Sequence, residues 1–382
     1  MAADKALKVL VLCDRLDVAG GVERFVCQLA SQLAAHGLAV AVGSVHTAAA
    51  QVRYPLHPAV RVLAGPSALP EGTGAWALLC KQWRTGRALV ALVRAERPDV
   101  VVLNGLTTAC SVLALALVWA PGLAPRCICC DHNHFNARSA LWRGLRQRLY
   151  RRVAAVVSLS QADAPAFCAI NPRTEVIYNA SALHADAPVA VVEPVVLAVG
   201  RHVAQKGLDL LLTAWAQVQA SMPTARLRIL GDGPLTGELQ AQAQALGVAG
   251  SVQWLAPTSQ VQAHYQAAAV FALPSRYEGM PLALLEAQAL GLPAVAFDCP
   301  TGPAEIIGAD TGLVVPAGDS GAFAAALLRL LADPPLRARM GQAAIQRSRS
   351  VFSPEQHSTR WTALVRRVGA EVAGGVGTGA RA

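Results

Sequence analysis

Short apolar runs recur along this chain, each followed by a longer segment with helical spacing, and this rhythm constrains the fold more than any other feature. Lys8–Cys13, Ala39–Val45, Val100–Leu103, Arg126–Cys130 and Ala154–Leu159 read as strands in the first half. Val195–Val199, Arg226–Leu230, Ser251–Trp254, Val270–Leu273, Ala294–Phe297 and Gly312–Val315 do so in the second. Continuous apolar strands separated by helices belong to parallel sheets covered on both faces. A chain of 382 residues is long for a single core, and the rhythm lapses between Asn179 and Pro194, so two α/β domains are expected. Their bounds are 1–180 and 195–352, with a final helix over 353–370 that can return to the first domain and a flexible tail over 371–382.

Hydrophobic residues make up 54% and charged residues 15% of the chain, which argues for well-filled cores and against disorder. The net charge of +9 lies wholly in residues 1–185, with 19 Lys+Arg against 10 Asp+Glu. Arg138, Arg143, Arg146, Arg148, Arg151 and Arg152 alternate there with Leu141, Trp142, Leu145, Leu149 and Tyr150. Such a helix either lies on an anionic membrane surface or is a solvated cover of its own domain. No nucleic-acid motif accompanies it. The start, Met1-Ala2-Ala3-Asp4-Lys5, has no signal-peptide pattern, so a cytoplasmic protein is expected, either free or peripheral on the inner face of the membrane. Ala109–Ala120 is too short to span a bilayer, and nine cysteines without framework spacing fit reduced thiols.

Chemistry concentrates in loops that follow the strands. Glu278 and Glu286 stand eight positions apart across Ser275-Arg276-Tyr277-Glu278-Gly279-Met280-Pro281-Leu282 and a helix opened by Pro281. Free N–H groups of Gly279, Met280 and Leu282 between them can receive phosphate, while the carboxylates can hold hydroxyls; otherwise both acids simply face water. Gly200-Arg201-His202-Val203-Ala204-Gln205-Lys206-Gly207 sets two cations around a turn, suited to clamping a diphosphate and stabilising it as it departs.

Gly231-Asp232-Gly233-Pro234 lets backbone approach a ligand closely, and Gly20-Gly21-Val22-Glu23-Arg24 opens a helix. Neither is a G-x-G-x-x-G fingerprint, and no Walker loop occurs. Asp131-His132-Asn133-His134 offers a histidine for a sugar hydroxyl. Cys127, Cys129 and Cys130 beside it match no common zinc spacing, so no metal is expected. Asp298-Cys299-Pro300-Thr301-Gly302-Pro303 makes a rigid turn.

Taken in order, these segments resemble glycosyltransferase family 4. The resemblance implies the GT-B fold, two Rossmann-like domains facing across a cleft, and transfer of sugar from a nucleotide sugar with retention and no metal or other cofactor. It implies that Arg201 and Lys206 hold the diphosphate with Gly21 nearby, that Glu286 holds the ribose and Glu278 the donor sugar, and that His132, or its neighbour His134, contacts the sugar. Asn179-Ala180-Ser181-Ala182 stands where relatives often carry Asn-Gly-Ile-Asp, so no contact is assigned there. The Asp-Cys-Pro-Thr-Gly-Pro turn is similar to that of bacterial enzymes extending lipid-linked glycans or exopolysaccharides. A UDP-linked hexose or N-acetylhexosamine donor and a lipid-linked or glycan acceptor are therefore expected. The rival readings are a nucleotide-sugar-binding protein without transfer activity and a GT-B sugar-nucleotide epimerase.

Overall fold

The structure, a computed structural model, describes residues 6–18, 20–44, 52–64, 75–188, 193–258 and 260–378. The expectations for the first five residues, for Val45 and for residues 379–382 lie outside them. Two compact units emerge, Met1–Tyr178 with His357–Ala382, and Asn179–Gln356.

The first unit holds strands β1 (Lys8–Leu12), β2 (Ala39–Ser44), β3 (Arg61–Ala64), β4 (Val100–Asn104), β5 (Cys127–Cys130), β6 (Ala155–Ser158) and β7 (Thr174–Val176). They pair in the order β3-β2-β1-β4-β5-β6-β7, with every neighbour parallel. Helices α1 (Gly21–Ala35), α2 (Ala75–Glu96), α3 (Leu106–Trp119), α4 (Ala140–Leu149) and α5 (Ala164–Cys168) connect them. All of β4 and β5 is buried, as sheets covered on both faces require. The edge strands β3 (Arg-Val-Leu-Ala) and β7 (Thr-Glu-Val) escaped the sequence reading, β7 because three residues with Thr and Glu do not stand out as an apolar run.

The second unit pairs β8 (Val195–Val199), β9 (Arg226–Leu230), β10 (Val252–Leu255), β11 (Val270–Leu273), β12 (Ala294–Asp298) and β13 (Gly312–Pro316) in the order β10-β9-β8-β11-β12-β13, again all parallel. Its helices are α6 (Leu208–Ser221), α7 (Thr236–Ala245), α8 (Val261–Gln266), α9 (Leu282–Ala289), α10 (Pro303–Ile306), α11 (Ser320–Ala332) and α12 (Pro334–Val351). Asp319 and Asp333 cap α11 and α12, each accepting a backbone N–H at 2.8 Å. Trp215 is fully buried and donates to Ser251 Oγ at 2.9 Å, so even its polar edge is satisfied. Strand order reverses between β1 and β4 in one sheet and between β8 and β11 in the other. Such reversals open crevices at the carboxyl ends of parallel strands.

Helix α13 (Pro354–Thr378) belongs to the first unit from His357 onward. Trp361, Leu364, Val365 and Val368 form its buried stripe, with Trp361 5.9 Å from Phe25 of α1. The helix runs on through Gly374 to Thr378, past residue 370 where it was expected to end.

His357 in this helix makes the fold acid-sensitive. Its Nδ1 lies 2.8 Å from Gln32 Oε1, and its Nε2 is buried without a hydrogen-bond partner, near the rings of Phe25 and Trp361. Burial pushes its pKa down to about 4. Below about pH 6.5 the unfolded chain gains a proton that the folded state refuses. Stability is therefore complete above that pH and falls as pH drops toward 4, by up to about 3 kcal/mol for this one group. Urea unfolding near neutrality and in mild acid should show the loss, and His357→Gln should flatten the slope.

Candidate active site

Four loops follow β9, β8, β11 and β12, adjacent strands of the second sheet, and hydrogen bonds join them. Arg276 N donates to Gln205 O at 2.8 Å, and Gln205 Nε2 donates to Tyr277 O at 3.0 Å. The Arg276 guanidinium grips the Asp209 carboxylate at 2.8 and 2.6 Å. Gly207 turns the chain with φ of 61°, and a Cβ there would lie 2.0 Å from Pro274 O. Only glycine accepts both that conformation and that approach. Gly207→Ala is expected to destabilise the protein by more than about 1 kcal/mol, measured by thermal melting.

This zipper delivers Lys206 to Glu278 across the reversal between β8 and β11. Lys206 Nζ lies 2.7 Å from Glu278 Oε1, which also accepts from Ser275 Oγ at 2.6 Å. Thr301, from the loop after β12, donates to Glu278 O. Glu278 is 5% exposed, so its charge is held by partners rather than by water. Arg201 is exposed and, among the described residues, has no ion-pair partner. The Lys206 stem passes 3.3 Å from where a Gly200 Cβ would stand.

Gly231, Asp232 and Gly233 serve this loop in a way the sequence did not reveal. A Cβ on Gly231 would lie 2.0 Å from Gly200 O, and Asp232 O accepts from His202 N at 2.6 Å. The Gly-Asp-Gly turn is thus a seat for the Arg201 loop. His202 joins the two: its Nδ1 is 2.7 Å from Thr236 Oγ1, which donates to Gly233 O at 2.8 Å.

Gly279, Met280 and Pro281 are buried under the start of α9, and Asn179 Nδ2 donates to Met280 O at 3.1 Å. Asn179 therefore supports the site although its neighbours depart from the expected pattern. Leu284 N and Leu285 N both bond Pro281 O, at 3.1 and 3.2 Å, so the N–H groups of Leu282 and Ala283 are the ones left at the helix start. Glu286, 3% exposed, sits a turn further in, and Tyr265 hydroxyl lies 2.9 Å from its Oε2 and 3.1 Å from Ala283 O. Tyr265, Ser275 and Thr301 were not singled out in the sequence, since nothing local marks a residue whose partner is distant in the chain.

Gly20, Gly21 and His132 belong to the first unit. Gly20 precedes α1 in extended conformation, and the Glu23 carboxylate folds over it, where a Cβ would meet Oε2 at 2.1 Å. A carboxylate of the chain itself thus already faces the positive end of this helix. His132 Nε2 lies 3.1 Å from Asn104 Oδ1, and its ring stands edge-on to Phe25 at 4.6 Å. Asn104 Nδ2 donates to Leu12 O at 3.1 Å, which turns its oxygen toward the histidine. This assigns the proton to His132 Nε2 and leaves Nδ1 as an acceptor. Burial holds the imidazole pKa down to about 4, so it is neutral near pH 7. Asn104 is the residue the sequence reading missed here, at the end of a strand that otherwise reads as pure core. His134 Nδ1 instead accepts from Asn136 N at 3.2 Å and shapes the turn.

The loop carrying His132 rests on a buried network drawn from the basic run. Arg146 donates to Asp131 Oδ2 at 3.2 Å and to Phe135 O at 2.7 Å, and its guanidinium lies 3.6 Å from the Phe135 ring centre. Tyr150 donates to Asp131 Oδ1 at 2.7 Å. Arg146 and Tyr150 are thus core residues rather than part of a solvated or membrane-facing helix side, because Asp131 needs a buried counter-charge. Cys127, Cys129 and Cys130 are buried in β5, and burial raises all three thiols, Cys127 by desolvation alone, far from the thiolate form. Among the described residues no group of three or more His, Cys, Asp or Glu is placed to hold a metal ion. Burial, and then the Glu278 carboxylate, push Cys299 up to about 12.

Residues 19–181 match the family described as Glycosyltransferase Family 4, and residues 182–347 match Glycosyl transferases group 1. The amylovoran biosynthesis glycosyltransferase AmsD of Erwinia amylovora is 32% identical over 369 residues, 94% of this chain and 99% of that protein. The GDP-mannose-dependent alpha-(1-6)-phosphatidylinositol monomannoside mannosyltransferase of Mycolicibacterium smegmatis is 38% identical over 159 residues, 39% of this chain and 42% of that one. Sucrose-phosphate synthase from Thermosynechococcus elongatus superposes with a TM-score of 0.79 at 21% identity, over 96% of this chain and 100% of the other. Anabaena HepE, solved with UDP and glucose, gives 0.71 at 19% identity, over 97% and 100%. Two Rossmann-like domains with these neighbours have the fold of the GT-B glycosyltransferases. The chain belongs to glycosyltransferase family 4 and is a glycosyltransferase.

Proposed function

We propose that the enzyme moves a hexosyl or N-acetylhexosaminyl group from a UDP-linked donor to a lipid-linked or polysaccharide acceptor, with retention and without a metal cofactor. The observation that carries the choice of a diphosphate-linked donor is the Lys206–Glu278 pair at the strand-order reversal, 2.7 Å apart and beside the start of α9. A lysine ammonium has three protons, so the bond to Glu278 leaves two for a diphosphate. Arg201 adds a fork, and the Leu282 and Ala283 N–H groups add the partial charge of a helix start. The acceptor assignment is supported by the near full-length similarity to a protein named for amylovoran biosynthesis.

In the reaction the acceptor hydroxyl oxygen bonds to the anomeric carbon as the bond from that carbon to the phosphate oxygen breaks. The nucleoside diphosphate leaves, the acceptor proton passes to a departing phosphate oxygen, and Lys206 and Arg201 stabilise the charge that grows there. His132, neutral, accepts a hydrogen bond from a sugar hydroxyl through Nδ1.

The test is release of nucleoside diphosphate from a panel of UDP-, GDP- and dTDP-sugars, with and without lipid extract. Release from a UDP-sugar that needs lipid and falls at least about tenfold in Glu286→Ala at low donor concentration is the expected result. Sugar conversion without acceptor would instead identify an epimerase, and binding without release a binding protein. A GDP-mannose donor is the second reading, favoured by the 38% identity to the mannosyltransferase.

A further inference from the structure

Seven large apolar side chains are exposed among the described residues, and five of them, Trp83, Leu117, Val118, Trp119 and Leu141, lie on the first unit. Trp83 of α2 and Trp119 at the end of α3 are 47% and 37% exposed and meet edge to face at 6.2 Å. Between them stands Arg87, its guanidinium 5.4 Å from one ring centre and 5.7 Å from the other. Leu117 and Val118 extend the apolar surface, Val118 at 76% exposure.

Among the described residues, the charge set between the two indoles is a cation, Arg87. Helix α2 also carries Lys81 and Arg84, while its single carboxylate, Glu96, is paired with Arg61. Helix α3 has no charged residue. Indoles left in water, aliphatic neighbours and cations with no ion-pair partner among the described residues fit a surface that is apolar beneath and anionic above. A second copy of the chain would bring the same cations against these. No described helix is long and apolar enough to cross a membrane, so the contact such a face can make lies in the interface.

We propose that the outer face of α2 and the end of α3 dock the first unit on an anionic lipid bilayer, with Trp83 and Trp119 inserted at headgroup depth. The centre of the contact is therefore not the Arg138–Arg152 run, whose Arg146, Leu149 and Tyr150 are buried. Docking would bring the enzyme to a lipid-linked acceptor, and in that purpose it rests on the proposed function; the binding itself needs neither donor nor acceptor.

Co-sedimentation of the full chain with phosphatidylcholine vesicles, with and without phosphatidylglycerol, tests it. Binding should require phosphatidylglycerol, fall about fivefold in Arg87→Gln, and fall at least tenfold in Trp83→Ser/Trp119→Ser, as loss of buried indole area demands. Nucleotide affinity and circular dichroism of the double variant should match the parent, which separates lost docking from lost folding. Equal binding by the double variant, no binding by the parent, or a change of oligomeric state in light scattering would each overturn the proposal, the last by making the face a contact between copies. Vesicle binding by a chain that transfers no sugar would leave the docking intact and sink the catalytic reading instead.

Discussion

Replacing Lys206 with alanine is expected to lower kcat/KM for sugar transfer by about 10²–10³-fold, the scale of losing one preorganised charge at a developing anion. The change has two consequences that must be separated. Glu278, 5% exposed, loses its cation and keeps the Ser275 hydroxyl at 2.6 Å, so the melting temperature should fall as well. Lys206→Ala/Glu278→Gln removes the stranded charge and should recover much of the stability. If activity recovers with it, Lys206 acts only by neutralising Glu278. If activity stays well below that of Glu278→Gln alone, the ammonium works on the departing diphosphate. An unchanged kcat/KM in the single variant would falsify the donor assignment.

Glu286→Ala should raise the dissociation constant for the nucleoside diphosphate by about 10–100-fold, the worth of a hydrogen bond to a charged group in a dry site. The carboxylate is 3% exposed, and the Tyr265 hydroxyl at 2.9 Å fixes where one oxygen points. Tyr265→Phe should therefore weaken binding by a smaller factor, about fivefold, by freeing the carboxylate to turn. Calorimetric titration with UDP reads both. Equal affinity in Glu286→Ala would make the residue a brace for α9 and put the ribose elsewhere.

Much of the architecture was legible because its signals are local. Apolar runs such as Val100–Leu103 and Val270–Leu273 are strands wherever helices cover both faces, and the glycine and proline turns that follow them end them on schedule. Of the two edge strands that were missed, β7 lacks that local signature. The last helix runs beyond its expected end at residue 370 because a helix already held by Trp361, Leu364, Val365 and Val368 continues past residues that would not start one. Arg146 read as a surface cation, since six arginines in fifteen residues look like a solvated face. Its burial follows from Asp131, fifteen positions earlier, which no helical periodicity connects to it.

The candidate site divides along the same line. Residue type and place after a strand, together with the family resemblance, were enough to nominate Arg201, Lys206, Glu278, Glu286 and the pair His132 and His134, because phosphate and sugar need cations, carboxylates and imidazole at the carboxyl ends of parallel strands. By itself the sequence determined which groups could do chemistry and which strand each one follows. The tertiary structure alone decided their partners: Lys206 on Glu278 across 72 positions, Asn104 aiming His132 across 28, and Tyr265 on Glu286 across 21. Pairing of this kind depends on which strands lie side by side in the sheet, and strand order is set by packing the whole core rather than by any local run of residues.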